Sequence, residues 1–508
     1  MSRSHFQEIT AMPARNAYLS FRERTGSLRA ALMLLLLVAA TAATSPAQTF
    51  KTLYNFCGIT NGAGYCTDGQ NPNTTLVQGT NGNLYGTTFY GGPGNYGTVF
   101  EVTTAGKLTT IYSFCSVASC ADGTQPEGGL LLASNGSFYG VTNTGGAYGL
   151  GTVFKITAAG KLTTLHSFNS TEGDVPTAGL IQATDGNFYG TTISGGAYGQ
   201  GAAFEITASG TFTTLHSFCG GFCVDGASPM SGLIQAADGN FYGTAYDGGP
   251  SNNNVCYPYS GGGTAFQLTS SGTLTTLVPE FCQPNGFYPN SAPVQAANGN
   301  FYGTTAVGGD GTTNIGYGTV YEMTTTGSLT WLYSFCLQTA CADGSNPQAL
   351  ILGTDGNFYG TTRFGGANSG TGTVFEISST GQLTTLHTFT GTDGETPVGA
   401  LLLDTSGTFY GTTWEGGSHG AGTIFSLTPG AFVATIPTSA AAGTKVMILG
   451  TNLKGATAVS FNGTEATFTV VGSSEITTTV PTGATSGTVT VTITGGTTLK
   501  SKVAFQVP

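Results

Sequence analysis

The amino-acid sequence predicts an all-β protein, a seven-bladed β-propeller that is closed by its N-terminal strand and followed by an immunoglobulin-like β-sandwich. The first observation is a Tyr-Gly landmark that recurs every 50 to 60 residues, at Tyr85, Tyr139, Tyr189, Tyr242, Tyr302, Tyr359 and Tyr410. The second is that each copy carries four short strand candidates bounded by Gly, Asn or Asp. The third is that the last copy lacks one strand while a surplus strand precedes the first. Repeats of this length with strand-type patterning are typical of propellers.

Residues 1–47 are predicted to be a secretory signal peptide. Five arginines precede an apolar run at Ala30–Ala43, and Ser45-Pro46-Ala47 supplies small residues for cleavage. The alternative, a membrane anchor, is disfavoured because the run is shorter than the roughly 20 residues that span a bilayer. We therefore expect the mature chain to begin near Gln48, to be exported and to have no membrane span.

The composition limits the partners of the mature chain. Only 8% of residues are charged, and residues 49–429 contain 5 Lys and Arg against 21 Asp and Glu. An acidic surface of this kind repels nucleic acid and anionic membranes. We expect a monomer that binds neither.

The third copy shows the predicted blade most clearly. Its strand candidates are Gly179–Ala183, Phe188–Thr192, Ala202–Thr207 and Phe212–Phe218. The first two are joined through Asp185-Gly186-Asn187, which predicts a hairpin with a primed turn. Helical repeats are excluded because no window shows a 3.6-residue period.

The ends of the repeat array predict ring closure. The last copy stops at Thr423–Thr428, its third strand, and Thr49–Phe56 matches the missing fourth. We therefore expect the N-terminal strand to complete the seventh blade, which would remove two open sheet edges. The propeller is assigned to residues 48–429.

One face of the predicted ring varies and the other does not. The turns between strands one and two and between strands three and four are short; we call their side the turn face. The second-to-third-strand loops and the links between blades lie on the opposite side, the loop face. From the Tyr-Gly tyrosine to the third-strand aromatic is 15 residues in four copies, but 24, 19 and 16 in copies four, five and six. Variable loops on a uniform scaffold indicate a binding face.

All ten cysteines are predicted to form disulfides in the exported chain. Four local pairs lie in the links: Cys57 with Cys66, Cys115 with Cys120, Cys219 with Cys223, and Cys336 with Cys341. Cys282 has no local mate and is paired with Cys256 of the long fourth loop. A zinc site is the alternative, but the pairs are spread round the ring rather than clustered.

An Asp-Gly-x-x-Pro element follows most fourth strands. It occurs at Asp68–Pro72, Asp122–Pro126, Asp225–Pro229, Asp343–Pro347 and Asp393–Pro397, with variants at Glu172–Pro176 and Asn285–Pro289. Catalysis or Ca²⁺ binding would suit these acids, but Asp before Gly in a tight link is favoured as turn chemistry. His166, His216 and His387 share one repeat position with Tyr112 and Tyr333 and are predicted to be packing residues; His419 is isolated.

The residues that depart from the repeat are mainly aromatic, and they are the predicted ligand contacts. They are Tyr96, Tyr148, Tyr198 and Tyr317 in the loops, Tyr246 beside the long insertion that also holds Tyr257 and Tyr259, and Trp414 after the seventh Tyr-Gly-Thr-Thr. Asp247, Asp310 and Glu415 depart from the repeat in the same region. Exposed aromatics with few charges suit sugar rings or a protein surface. The alternative is that the loop tyrosines pack their own glycine-rich loops.

Residues 430–508 are predicted to form a small β-sandwich. The strand candidates are Gly443–Leu453, Ala458–Asn462, Ala466–Val471, Val489–Thr494 and Lys502–Val507. The motifs Gly-Thr-Asn-Leu, Val-Ser-Phe-Asn-Gly-Thr and Val-Pro-x-Gly-Ala-Thr-Ser-Gly resemble those of an IPT/TIG immunoglobulin-like domain. The Tyr-Gly-Thr-Thr, Gly-Gly and Gly-Thr-Val-Phe motifs of residues 49–429 resemble the GloVer tandem repeats of secreted bacterial proteins. That resemblance implies export and often a C-terminal anchor, and no established chemistry.

The sequence predicts an exported, non-enzymatic binding or adhesion protein whose loop face meets a carbohydrate or another protein. We identify no catalytic residue, metal site or cofactor motif. One alternative is an extracellular polysaccharide-active enzyme that uses Asp247, Asp310 and Glu415, since glycosidases need two carboxyls roughly 5–10 Å apart. A second alternative is a structural surface protein.

Overall fold

A computed structural model of the protein describes residues 48–508, with gaps at 251–260, 283, 310–315, 368–369, 405, 429, 431–432, 451–452, 473–474 and 502–503. The predicted signal peptide, Cys256 and Asp310 therefore lie outside the described residues. The described chain is all-β apart from single 3₁₀ turns at Ala118–Cys120, Thr339–Cys341 and Leu453–Gly455. Within it, no helix has the length and apolarity needed to cross a membrane.

Residues 49–428 form seven small antiparallel sheets. In each sheet the strands that come from one copy of the repeat are arranged in chain order. Strand β1 (Thr49–Asn55) comes before the first of them. Sheet 1 consists of β2 (Val77–Gln78), β3 (Leu84–Thr88), β4 (Thr98–Val102) and β5 (Leu108–Ser113). Sheet 2 consists of β6 (Thr124–Pro126), β7 (Leu131–Leu132), β8 (Phe138–Thr144), β9 (Thr152–Ile156) and β10 (Leu162–Ser167). Sheet 3 consists of β11 (Ile181–Gln182), β12 (Phe188–Thr192), β13 (Ala202–Ile206) and β14 (Phe212–Ser217).

Sheets 4 to 7 repeat this plan. Sheet 4 consists of β15 (Ile234–Gln235), β16 (Phe241–Ala245), β17 (Thr264–Leu268) and β18 (Leu274–Val278), and sheet 5 of β19 (Phe287–Pro289), β20 (Val294–Gln295), β21 (Phe301–Val307), β22 (Thr319–Met323) and β23 (Leu329–Ser334). Sheet 6 consists of β24 (Ser345–Pro347), β25 (Ile351–Leu352), β26 (Phe358–Phe364), β27 (Thr373–Ile377) and β28 (Leu383–Thr388). Sheet 7 contains β29 (Glu395–Pro397), β30 (Leu402–Leu403), β31 (Phe409–Glu415) and β32 (Thr423–Thr428).

The short strands β6, β19, β24 and β29 were not predicted. Each is the x-x-Pro part of a link and pairs with the far end of the first long strand of its sheet (β8, β21, β26 or β31), as Thr124 and Pro126 do with Thr144 and Thr142. Proline has no N–H to donate, so it is tolerated at such an edge. The links are therefore extensions of the sheets rather than free loops.

The predicted pairing of the N-terminal strand with the last repeat is confirmed. Strand β1 runs antiparallel to β32, with Thr49 opposite Thr428 and Asn55 opposite Thr423. It supplies the fourth strand of sheet 7, next to the third strand, where the other sheets carry β5, β10 or β14.

Seven apolar clusters join each sheet to the next, and one of them joins sheet 7 to sheet 1. The closing cluster packs Ile424 and Tyr410 of sheet 7 against Leu84 and Phe100 of sheet 1. At most junctions the Tyr-Gly tyrosine lies against the phenylalanine that precedes the next landmark; the Tyr139 and Phe188 ring centroids are 4.0 Å apart. Sheet 7 therefore packs against sheet 1 in the same way as each other sheet packs against the next.

The glycine after each landmark tyrosine is required by this packing. A Cβ atom on Gly190 would lie 2.7 Å from Phe204 Cζ and 2.8 Å from Leu180 Cδ2. Real Cβ atoms do not approach carbon so closely, so the strand accepts only glycine here.

The predicted primed turn between the first two strands is wrong. The Gly186 N–H donates to the Ala183 carbonyl at 2.9 Å, and the Ala183 N–H donates to the Asn187 carbonyl at 3.0 Å. Only Gly186, with φ +89°, is left-handed in this loop. This is a three-residue hairpin loop with a type I turn followed by a left-handed glycine. Asp185 favours it because its Oδ1 accepts the Asn187 N–H at 2.9 Å.

Residues 433–500 form two further four-stranded antiparallel sheets. One has β33 (Val433–Ile436), β34 (Lys445–Gly450), β38 (Glu475–Thr479) and β37 (Phe468–Val470); the other has β36 (Thr464–Ala466), β35 (Ala456–Phe461), β39 (Val489–Ile493) and β40 (Thr498–Lys500). A common core between them includes Ile448, Phe461 and Val491.

The tail departs from its predicted strands in four places. Strands β33 and β38 were missed. The predicted strand Ala466–Val471 is divided between the two sheets, as β36 and β37. The predicted last strand, Lys502–Val507, is wrong in position: the final strand is β40, and Phe505 and Gln506 form only isolated bridges.

Candidate functional site

The loop face carries most of the exposed apolar surface. Of the fifteen exposed large apolar side chains in the described chain, twelve lie in its loops and links or at the strand ends beside them: Ile59, Tyr65, Tyr96, Val117, Tyr148, Tyr198, Phe222, Val224, Met230, Tyr317, Leu337 and Phe364. The other three are Trp331 on β23 and two residues of the tail. Exposed apolar groups gathered on one side of a protein mark an interaction surface.

Disulfides hold the links that bear several of these side chains. The four predicted local pairs, Cys57–Cys66, Cys115–Cys120, Cys219–Cys223 and Cys336–Cys341, are confirmed. Cys282 is also disulfide-bonded, but Cys256, its predicted mate, lies outside the described residues. Phe222, inside one bridged link, is 98% exposed. Each bridge thus fixes a short loop with an apolar side chain in solvent.

The acids of the Asp-Gly-x-x-Pro elements hold the links in place. The Asp225 carboxylate contacts His216 Nε2 at 2.9 Å and accepts the Cys219 N–H at 3.1 Å. Burial acts to raise the pKa of Asp225, but these hydrogen bonds outweigh it and hold the pKa below its usual range. The turn-chemistry interpretation therefore stands, and the histidine is a hydrogen-bonding partner as well as a packing residue.

Tyrosine replaces histidine in other links without changing the arrangement. Tyr112 Oη donates to Asp122 at 2.7 Å, and burial raises the pKa of Tyr112 to about 12. Between sheets 4 and 5 both partners are replaced together, by Val278 and Asn285. In the described parts of the chain no three His, Cys, Asp or Glu side chains are grouped as metal ligands.

The four loop tyrosines of the predicted site are exposed, and they lie in the loops of sheets 1, 2, 3 and 5. Tyr96, Tyr148, Tyr198 and Tyr317 are 43%, 65%, 56% and 51% exposed. The ring of Tyr198 lies over Gly220 of the bridged link that follows. About half of the surface of each tyrosine is thus available to a ligand.

Trp414 is paired with an aromatic residue that the sequence analysis did not select. Its ring centroid is 5.6 Å from that of Phe89, at an interplanar angle of 60°. Both side chains are half-buried. Phe89 occupies the same repeat position in sheet 1 that Trp414 occupies in sheet 7. A comparison of the residues that follow each Tyr-Gly-Thr-Thr would have found it.

Tyr246 is likewise paired with a residue outside the predicted set. It stacks on Tyr288 of the next link at 4.8 Å, nearly parallel. The neighbouring Asp247 is part-buried, and burial raises its pKa. Tyr317 belongs to neither aromatic pair. Trp414 and Tyr246 thus belong to two separate aromatic pairs.

Two of the three predicted carboxylates are described, and they belong to different sheets. Asp247 lies in sheet 4, Asp310 is outside the described residues, and Glu415 lies at the end of β31. Glu415 faces Glu395 across the β29–β31 pair. The sequence analysis missed a different carboxylate: Glu127 follows the proline of its link and accepts a hydrogen bond from Asn143 Nδ2.

The family of the chain follows from a sequence profile that covers most of it. The profile of the Gloeobacter/Verrucomicrobia repeat matches residues 41–257 and 258–480, as two tandem copies. The chain belongs to the Gloeobacter/Verrucomicrobia repeat family. The resemblance to GloVer repeats drawn from the Tyr-Gly-Thr-Thr motifs is thereby confirmed.

Comparison with curated protein sequences gave no match to this Gloeobacter/Verrucomicrobia repeat protein. A fungal alcohol oxidase of the AA5 family, in complex with copper, shares its fold at 12% identity and a TM-score of 0.50, over 91% of this chain and 100% of that one. A gluconolactonase from Xanthomonas campestris covers 76% of this chain and 92% of its own (11% identity, TM-score 0.37). The periplasmic gluconolactonase of Pseudomonas aeruginosa covers 71% of this chain and 96% of its own, at 15% identity and a TM-score of 0.42.

The disulfides indicate where this Gloeobacter/Verrucomicrobia repeat protein resides. Four bridges are found in the described residues, and no cysteine there is free. Disulfides of this number persist in an oxidising, extracellular environment.

Proposed function

We propose that the chain is an exported, non-enzymatic binding protein whose loop face takes a carbohydrate or protein ligand. In this proposal residues 1–47 are a signal peptide, and the seven sheets are the blades of a β-propeller closed by β1. Residues 430–508 are an IPT/TIG-like immunoglobulin-like domain that acts as a spacer or second adhesive module.

The observation that carries the proposal is the one-sided distribution of exposed apolar side chains. Twelve of fifteen lie on the loop face, and several are held by disulfide-bridged links. Leaving such groups in solvent promotes self-association, so their retention on one face fits a surface that is covered by a partner.

Oriented immobilisation tests which face binds. A biotin-acceptor peptide inserted at Gly186 would tether the protein by the turn face, and the same insertion at Gly199 by the loop face. Both glycines have open space around them and belong to the same sheet. Glycan and surface-protein arrays probed with the mature chain should give binding with the Gly186 tether, and a loss of at least tenfold with the Gly199 tether. Equal binding from both, or binding to nothing, contradicts the proposal.

A further inference from the structure

We propose that one sector of the loop face binds a neutral hexose unit of a glycan. The sector consists of Trp414, Phe89, Asn73 and the Glu127–Asn143 pair. This inference rests on the proposed binding function and names the ligand class and the place.

The aromatic pair is held by one link residue. The Asn71 carbonyl accepts the Phe89 N–H at 3.1 Å, and Asn71 Nδ2 donates to the Trp414 carbonyl at 2.8 Å. Asn71 itself is fixed in the left-handed region, at φ 55°. The two rings come from opposite ends of the repeat array, yet one side chain and its backbone position both. They form a preorganised apolar platform.

The links on either side of Phe89 each carry a polar side chain directly after their proline, Asn73 and Glu127. Asn73 follows Asn71 by two residues, and its Oδ1 is buried with no hydrogen-bond partner. A buried amide oxygen without a donor costs about 1–3 kcal/mol, which a ligand hydroxyl would recover. Glu127 occupies the position of Asn73 in the next link, where Asn143 donates to one of its oxygens.

The link that carries Glu127 passes close to the backbone of Phe89, because Pro126, the residue before Glu127, lies near the Phe89 carbonyl. A Cβ atom at Gly97 would meet both Pro126 Cδ, at 2.5 Å, and the Phe89 carbonyl oxygen, at 3.0 Å. Across the seven links only Glu127 is ionisable at this position: its counterparts are Asn73, Thr177, Met230, Asn290, Gln348 and Val398. The carboxylate is thus specific to this sector and is not demanded by the repeat.

A pyranose ring matches these groups. Its apolar C–H face packs on aromatic rings, and its hydroxyls donate to amide and carboxylate oxygens. Hydrogen bonds to an ionised carboxylate are about twice as strong as neutral ones. A sulfated or phosphorylated sugar would be repelled by Glu127 and by a chain with 21 acids and 5 bases in residues 49–429. The ligand is therefore a neutral sugar.

The chain offers a direct fluorescence assay. It contains two tryptophans, Trp331 and Trp414, and Trp331 lies exposed on β23, away from the sector. In the mature Trp331→Phe protein, the tryptophan fluorescence comes from Trp414 alone. Titration with neutral tetrasaccharides of glucose, mannose, galactose and N-acetylglucosamine should give a saturable change in emission for at least one of them. No change with any of the four overturns the sugar assignment.

Substitutions then locate the site, with affinity measured by calorimetry. For the sugar that binds, Trp414→Ala and the near-isosteric Glu127→Gln should each weaken binding at least tenfold. Thr177→Ala, at the equivalent position of the third link, and Asn187→Ala on the turn face should leave it unchanged. Unaltered affinity in both test variants overturns this sector while leaving the proposed binding function intact. If Trp414→Ala does not fold, weaker sugar binding by a Glu127→Gln protein with a native circular dichroism spectrum still supports this sector.

Discussion

The Asn71 N–H donates to the Ala421 carbonyl at 2.8 Å, and this hydrogen bond closes the ring of sheets. An equivalent hydrogen bond joins each of the other six links to the loop of the preceding sheet. The backbone N–H groups donate to backbone carbonyls as follows: Gln125 to Tyr96, Val175 to Leu150, Ser228 to Gln200, Tyr288 to Gly262, Asn346 to Tyr317, and Thr396 to Thr371. All seven donors are left-handed, with φ between 51° and 61°. The closing junction therefore repeats the geometry of the internal ones.

Ring closure makes the N-terminal strand essential to stability. Deleting residues 49–56 removes β1 and the fully buried Phe56, and it opens an edge of sheet 7. Because loss of one buried phenylalanine costs about 3–5 kcal/mol, the deletion should lower the free energy of unfolding by more than about 5 kcal/mol. Denaturant titration measures it. Removing only the residues before Thr49 is the control, and an equal midpoint for the two proteins would refute closure.

The left-handed link position predicts a stabilising substitution. Val175 is β-branched and has φ 54°, a region that costs such residues about 1–2 kcal/mol. Asparagine tolerates it better and already occupies the equivalent positions Asn71 and Asn346. Val175→Asn should therefore raise the free energy of unfolding by about 1 kcal/mol, and Asn346→Val should lower it. Thermal melts of the pair check the sign, and a less stable Val175→Asn protein would contradict the argument.

A second substitution concerns a hydroxyl in the core. Tyr321 is fully buried, and its Oη has no hydrogen-bond partner; the other six sheets have phenylalanine there. Sheet 5 also has Pro293 where most others have leucine, so the hydroxyl fills space that a leucine methyl takes elsewhere. Tyr321→Phe with Pro293→Leu should stabilise the protein by about 1–2 kcal/mol, since an unsatisfied hydroxyl is removed without a void.

The single variants complete this cycle. Pro293→Leu alone should destabilise, because the added methyl would meet the Tyr321 hydroxyl. The coupling between the two sites, from chemical denaturation of all four proteins, should therefore be favourable. Additive effects would show that the two positions do not share this space.

His387 predicts a dependence of stability on pH. Burial lowers the pKa of His387 below its usual value, although Asp393 acts against the shift. The unfolded chain then binds more protons than the folded one below about pH 6.5, so the free energy of unfolding falls as the pH drops through this range. His387→Tyr should flatten the slope between pH 7 and 5, because Tyr112 makes the same bond to its link acid. An unchanged slope would assign the effect to other groups.

The cysteine pairing predicts five bridges and no free thiol in the exported protein. Peptide mapping under non-reducing conditions should find Cys256 joined to Cys282, which is disulfide-bonded in the structure. Alkylation of either cysteine without prior reduction would show that this pairing is wrong.

The sequence by itself determined the repeat, the positions of the main strands within each copy, the pairing of the N-terminal strand and four disulfides. These features can be read from local patterns or by counting. The number of repeats gives the number of sheets, and the alternation of apolar and polar residues indicates the strands. The strand that the last copy lacks matches the surplus strand at Thr49–Phe56. Cysteines 4 to 9 residues apart in tight links have few other mates. The binding face was predicted from loop lengths for the same reason.

Only the tertiary structure decided the details that depend on neighbours. Strand β38, with Ile476 as its only large apolar residue, is fixed by pairing between β34 and β37. The turn at Asp185-Gly186 is set by the register of the strands it joins rather than by its dipeptide. Phe89 and Trp414 lie at opposite ends of the repeat array and meet because the ring closes. No local pattern encodes that contact, since it exists only when sheet 7 packs against sheet 1.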